Sequence, residues 1–380
     1  EIRELAKKID AIEQQIRELE RLIAAVRKQV IEEAAVIGAT LSMTYMSTDL
    51  QAQQYDALFI DEISMAPLLP MFFAMGLVSS SCTLIGDFLQ LPPIGTQSKN
   101  ELLKKWHNRS FFDIIGMNSV GKARSSEFVK PLSIQYRMNP AIAAIPNKLF
   151  YGDILQSGDN TKTRVLSDQW VQDQPLFLVD TSEGAPWMNR GPNGQSRCNL
   201  YHATLAAAMA QDYLANETQD GKEITVGVVV PYRSQKDLIN DILDESLGKN
   251  SPARKRIEVN TVHSFQGGEK DVIICDSVES EGKDAKWFFF DDGSRNNHSA
   301  PLMLNVAVTR AKSKFILLAN VKFVQQNFTG HIFKDMLDIL HQHGVTLSVS
   351  ELGIGFQTTD EENEIKRLSE GVPVEELGQY

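Results

Sequence analysis

The start of the chain places apolar side chains at Ile2, Leu5, Ile9, Ile12, Ile16, Leu19, Ile23, Val26 and Val30, in alternating steps of three and four. Glu, Lys, Arg and Gln fill most positions between them. A helix brings such positions onto one stripe, so the spacing predicts a helical stalk over 1–34 with a coiled-coil seam and a solvated outer face. The seam calls for one partner helix. A stalk or dimer helix accounts for it better than a direct binding surface.

From about Val36 the period changes. Short apolar runs follow: AVIGATL, ALFI (Ala57 to Ile60), CTLIG (Cys82 to Gly86), LFLVD (Leu176 to Asp180), VGVVVPY (Val226 to Tyr232), DVIICDSV (Asp271 to Val278) and FILLAN (Phe315 to Asn320). Continuous β-rich runs alternating with helix-length segments predict an α/β fold, with parallel sheets covered on both faces. FFDII (Phe111 to Ile115) also passes for a strand. The stretches NKLFYGDILQSGDNTKT and SEGAPWMNRGPNGQS read as loops, being rich in Gly, Asn, Ser and Pro. The expected divisions are a stalk at 1–34, a first α/β domain at 35–115, a second at 116–345 and an acidic tail at 346–380 with at most one short helix.

Composition narrows the class. At 380 residues, 42% apolar and 23% charged, the chain can build two domains with sizeable cores. Cys82, Cys198 and Cys275 are widely spaced and form neither a disulfide framework nor a zinc pattern, so a reducing setting is expected, cytoplasmic or nuclear. No apolar run reaches the roughly 18 residues of a membrane span. The net charge of −11 argues against a wholly basic nucleic-acid binder, but eight acids and two bases fall in 351–380 and leave only −5 for the rest. That leaves room for a local basic groove. The sequence lacks an initiator methionine and begins inside a helical pattern, which suggests a piece of a longer protein.

GMNSVGKA (Gly116 to Ala123) has the glycines and lysine of a phosphate-binding loop, but Ala123 stands where a hydroxyl would meet Mg²⁺. Pro131 follows too soon for the long helix such a loop opens, so a surface loop with accidental spacing is expected. ALFIDEIS puts Asp61 and Glu62 at the carboxyl end of a strand, where Asp61 can hold Mg²⁺ and Glu62 can take a proton from an attacking water. TLIGDFLQLPP ends a second strand and stiffens the loop bearing Gln90 with Pro92 and Pro93. QYRMNP (Gln135 to Pro140), VNTVHSFQGGEKDVII (Val259 to Ile274) and LNVAVTRAKSKFILL (Leu304 to Leu318) follow in order.

This ordered set resembles the motifs of superfamily 1 nucleic-acid helicases, in particular the up-frameshift group with 5′-to-3′ polarity, from roughly Ala34 to residue 330. The resemblance implies RecA-like sheets of the P-loop NTPase type in two lobes, the first incomplete, that use ATP and Mg²⁺ to move along single-stranded DNA or RNA. It implies Asp61 at the metal, Glu62 as catalytic base, Gln90 as γ-phosphate sensor, and Arg137 and Arg310 as arginine fingers. Guanidinium groups suit the charge that spreads in phosphoryl transfer. Tyr136 would lie near the adenine, Gly267 and Glu269 toward the ribose, and Thr261 and His263 toward the nucleic-acid backbone. The family usually carries aspartate where His263 stands. Tyr232, Arg233 and Ser234 resemble a further strand-contacting motif.

The family's phosphate-binding loop precedes its Asp-Glu motif, and no match lies before Asp61. The expectation is therefore a helicase core whose P-loop portion lies outside this chain, which alone would be inactive. A non-catalytic nucleic-acid or partner-binding scaffold is the rival reading. A nuclease built on Asp291 and Asp292 is a third and weaker one.

Overall fold

The computed structural model describes residues 2–95, 99–184, 186–191, 196–215, 221–282, 299–328 and 330–353. It divides into two compact units, Glu1–Phe88 with Pro92–Met117, and Leu89–Leu91 with Asn118–Tyr380.

The first unit opens with α1 (Ile2–Glu33), 32 residues long and with no buried residue. Its sequence is dominated by strong helix formers and carries i,i+4 ion pairs such as Arg17–Glu13 and Lys28–Glu32. The helix is as expected, and its seam stands open, from 49% exposed at Ile16 to 84% at Ile2, with no partner helix along it among the described residues. AVIGATL is not a strand. Residues 34–40 are irregular and a helix over Leu41–Met46 begins there, its first turn capped by the Thr40 hydroxyl accepting from Met43 N.

Strands β1 (Tyr55–Ile60) and β2 (Val78–Leu84) pair in parallel, with α2 (Leu68–Met75) between them in sequence. Ile60, Ile63, Leu68, Met71 and Phe112 form this unit's core. FFDII, also expected as a strand, is instead a helical turn over Phe111–Ile114, set by a capping box in which Ser110 and Asp113 satisfy each other's backbone amides.

The second unit is built on a six-stranded, all-parallel sheet. Its strands are β3 (Leu176–Asp180), β4 (Val226–Val230), β5 (Ile257–Thr261), β6 (Lys270–Asp276), β7 (Ala311–Ala319) and β8 (Val345–Ser348). In space they run β8-β3-β7-β6-β4-β5. Alternate side chains feed two cores. Leu178, Val229, Ile273 and Leu317 pack with α3 (Pro140–Pro146), α6 (Ser299–Val308) and α7 (Ile332–His343). Phe177, Val228, Ile274 and Ile316 pack with α4 (Leu200–Tyr213) and α5 (Arg233–Leu247). Both faces being covered explains why these strands read as continuous apolar runs.

The expected tail boundary at 346 moves. Residues 345–348 are the edge strand β8, and Val349 and Leu352 are buried against the second core, so 345–352 belong to the domain. The remainder of the predicted tail, 354–380, lies outside the described residues. Cys198 and Cys275 are free and buried, and burial pushes their thiols up to about 11 and about 12, the latter helped by Asp276. They are packing residues.

Candidate functional site

In the first unit, Asp61 and Glu62 follow directly on β1. The two strand ends are laced together: Ile85 N donates to the Ile60 carbonyl at 2.8 Å, and Ile63 N to the Ile85 carbonyl at 3.0 Å. Gly86 makes this approach possible, because a Cβ there would lie 2.8 Å from Ile63 Cγ1. Glu62 is held at φ +55°, a left-handed conformation that costs a residue with a side chain about 1–2 kcal/mol. Asp61 is exposed and its Oδ1 accepts from Glu62 N at 2.9 Å. Among the described residues no three His, Cys, Asp or Glu side chains converge on a point. A cation at Asp61 would therefore have at most two such protein ligands and take its other oxygens from phosphate and water, the manner in which Mg²⁺ is held in nucleotide sites.

The predicted nucleotide residues of the second unit gather at the amino-terminal edge of its sheet. Glu269 immediately precedes β6 and Arg310 immediately precedes β7. Arg137 reaches the start of both strands: its Nε donates to Glu269 Oε2 at 2.8 Å and its Nη1 to the carbonyl of Thr309, the residue before Arg310, at 3.2 Å. Arg310 is only 2% exposed. Its guanidinium donates to the Val306 and Gly268 carbonyls and to Gln90 Oε1 at 3.3 Å. Gly267 sits at φ +85°, which requires glycine.

The turn presenting Tyr136 and Arg137 rests on residues the motif reading passed over. The Gln135 amide accepts from Arg137 N and Met138 N and donates to Ser157 Oγ, while Arg164 donates to the carbonyls of Tyr136 and Arg137. Tyr136 itself is 59% exposed. Its ring lies against Gly158, where a Cβ would stand 2.5 Å from it. A polar side chain two residues before Arg137 is the one sequence signal that pointed to Gln135.

The predicted nucleic-acid residues lie at the opposite, carboxyl-terminal edge, at the end of β5 and just beyond β4 and β5. Arg233 is exposed in the first turn of α5, and Ser234 N donates to Ser196 Oγ at 3.0 Å. Thr261 ends β5, its hydroxyl 3.3 Å from that of Ser264. His263 is half-buried, burial lowers its pKa from 6.5, and its buried Nδ1 has no hydrogen-bond partner among the described residues.

Tyr232 faces inward. Its ring is 7% exposed, its hydroxyl donates to Glu279 and accepts from Arg197 Nη1, and burial raises its phenol far above 10. The buried Glu279 takes that donor, and the ring is packed away from solvent here. Behind Arg233 lies a fully buried polar network. Gln235 Nε2 donates to Asp276 Oδ2 at 2.7 Å, His202 Nδ1 lies 2.8 Å from Asp276 Oδ1, and His202 Nε2 lies 2.8 Å from Thr181 Oγ1. A carboxylate can only accept, so Nδ1 donates to Asp276. Nothing local in the sequence marks His202 or Asp276.

Every connection in this parallel sheet joins the two edges, and the one after β5 carries predicted residues at both of its ends. Because β5 and β6 are parallel, residues 262–269 must travel from the carboxyl end of one strand to the amino end of the next, passing over β4, which lies between them. That is roughly 15 Å for a five-residue strand. Phe265, 1% exposed, anchors the crossing. Gly227 on β4 makes room for it, since a Cβ there would lie 2.6 Å from Phe265 Cζ. Thr261 and His263 stand at one end of this crossing, and Gly267 and Glu269 at the other.

GMNSVGKA does not form a phosphate cradle. Its later part is a six-residue helix, Val120–Ser125, capped by Ser119, and Lys122 Nζ donates to Asn118 Oδ1 at 2.9 Å. Asp291 and Asp292 lie outside the described residues.

Residues 108–322 match a family described as an AAA domain, and residues 1–98 match a second family of the same description. Helicase sen1 of Schizosaccharomyces pombe is 30% identical over 310 residues, covering 80% of this chain and 17% of the relative. The DNA replication ATP-dependent helicase/nuclease dna2 of the same organism is 26% identical, over 84% of this chain and 22% of its own length. Its ATP-dependent helicase upf1 is 26% identical, over 78% and 31%. The chain thus spans between 17% and 31% of the length of these relatives.

Proposed function

The chain belongs to the superfamily 1, up-frameshift-like family of nucleic-acid helicases, and from that premise we propose that it is the motor segment of an ATP-dependent translocase on single-stranded DNA or RNA. The observation that carries the reading is the crossing at 262–269, which ties a basic and hydroxyl-bearing edge to an edge holding two arginines and a glutamine. In this reading Arg233 and Thr261 contact backbone phosphates, with Ser234 and His263 beside them. Tyr136 offers its open ring to a base, and Gly267 and Glu269 take the ribose side.

Asp61 would hold the Mg²⁺ that accompanies ATP, and that ion would draw charge from the phosphates as the γ-phosphoryl group passes to water and ADP leaves. Glu62, aimed by its left-handed backbone, takes the proton of the attacking water. Arg137 and Arg310 set positive charge against the oxygens on which negative charge grows, and Gln90 orients beside Arg310. Because Arg310 is already desolvated and tied to carbonyls, little reorganisation is needed when it meets that charge.

The test is salt-dependent binding of a single-stranded oligonucleotide to the full-length protein, together with strand-stimulated ATP hydrolysis. Arg233→Ala should weaken binding and lower the salt slope by about one phosphate contact. ATP hydrolysis that ignores nucleic acid, or binding that ignores salt, would support the scaffold reading instead.

A further inference from the structure

Gln90 and Arg310 meet across 220 residues of sequence, and a ring of hydrogen bonds closes around them. Asn305, on α6, supplies most of it. Its Nδ2 donates to the Leu89 carbonyl at 2.7 Å and to the Tyr151 hydroxyl at 2.8 Å. Its own carbonyl accepts from Thr309 Oγ1 at 2.8 Å, and Thr309 Oγ1 accepts in turn from Arg310 Nη2 at 3.3 Å. The circuit runs from the Asn305 side chain through Leu89 and Gln90 to Arg310, then through Thr309 back to the Asn305 backbone.

Asn305 is fully buried, beside Leu304 and Val306 of the first core, and its Oδ1 has no hydrogen-bond partner among the described residues. The Leu89 carbonyl can only accept, so the amide cannot turn over to rescue that oxygen. A leucine of similar volume would suit the core better, since a buried, half-satisfied amide is destabilising. What the amide does provide is a fixed Leu89 carbonyl, one residue from Gln90, while Leu91 is buried in the same core on the other side.

We propose that Asn305 is a positioning residue for ATP hydrolysis, holding the Leu89–Leu91 segment so that the Gln90 amide stays against Arg310. This rests on the reading that Gln90 and Arg310 act on the transferring phosphate. The two can fail separately.

The experiment is a double-mutant cycle in the full-length protein, measuring kcat and KM for ATP at saturating oligonucleotide, with thermal unfolding alongside. Asn305→Leu should lower kcat by roughly 10-fold to 10²-fold, the range expected when a catalytic group is slightly misplaced. KM for ATP and oligonucleotide affinity should stay within about twofold and Tm should hold or rise, whereas a purely structural asparagine would lower Tm without a selective effect on kcat. In a Gln90→Ala background, Asn305→Leu should cost nothing further. Losses that multiply would overturn the proposal while leaving the role of Gln90 standing. Gln90→Ala with full activity would remove both. Should Asn305→Leu fail to fold, Asn305→Asp, which keeps the shape but loses both donated hydrogens, is read by the same cycle.

Discussion

Arg137 and Glu269, 132 positions apart in sequence, are joined by an ion pair of 2.8 Å in which the arginine uses only its Nε. The rest of the guanidinium is steered by the Thr309 carbonyl. Both side chains remain partly open, 35% and 47% exposed, so the pair contributes at most about 1 kcal/mol to stability. Its consequence is orientation. A lysine presents one ammonium and cannot make both contacts at once. Arg137→Lys should therefore lower ATP turnover nearly as far as Arg137→Ala, with Tm moved little by either. Steady-state hydrolysis by the full-length protein checks this, and wild-type turnover in Arg137→Lys would remove Arg137 from the chemistry.

Glu62 combines a strained backbone with the proposed base. Glu62→Gln keeps the shape and the strain, so nucleotide binding should persist while hydrolysis falls by roughly 10² to 10⁴. Glu62→Gly should abolish hydrolysis too, yet leave stability unchanged or raised by up to about 1 kcal/mol, because relief of left-handed strain is set against added chain entropy. Chemical denaturation and hydrolysis rates on the two variants separate these effects.

Lys122 donates to Asn118 on a short capped helix, which is a local role. Lys122→Ala should leave nucleotide affinity and turnover of the full-length protein within about twofold, the ordinary outcome for a surface change. Turnover by this chain that vanished on Lys122→Ala would make the short helix a phosphate site after all.

Gly227 admits Phe265 to the sheet surface, and Ile273 Cδ1 would lie as close, 2.6 Å, to an added Cβ. Gly227→Ala should cost about 1–3 kcal/mol by overpacking. It should also loosen the crossing at 262–269 and so weaken the stimulation of ATP hydrolysis by nucleic acid more than basal hydrolysis. Amide exchange over 262–269 is the direct measurement. Unchanged protection there would contradict the anchoring role given to Phe265.

Burial lowers the pKa of His263 below 6.5, so the unfolded chain binds a proton more readily than the folded one. The stability that this gap contributes is complete above about pH 6.5 and is lost as pH falls from there through the lower folded value. His263→Asn should flatten the stability profile in that window. An NMR titration of the His263 ring in wild type that gave a midpoint at or above 6.5 would refute the assignment.

Much of this protein is legible in one dimension. The stripe from Ile2 to Val30 predicts α1 because helical spacing is a local property, and the apolar runs at 176–180, 226–230 and 271–276 predict strands because a sheet covered on both faces needs no polar alternation. The residue types of the motifs, arginine, glutamine, acid and hydroxyl, name a phosphate chemistry by what those groups can do. Reading failed where a short polar cap outweighed an apolar run, as Thr40 did for AVIGATL and Ser110 with Asp113 did for FFDII. Only the tertiary structure decided that Glu269 and Arg310 stand at one edge of the sheet and Arg233 and Thr261 at the other, since that depends on strands running parallel. It also decided that Tyr232 faces inward to Glu279, that Gly227 must be small for Phe265, and that Asn305 reaches Leu89. Each of those facts is a contact between residues 38 to 216 positions apart, and no local pattern of polar and apolar residues carries information about a partner so distant.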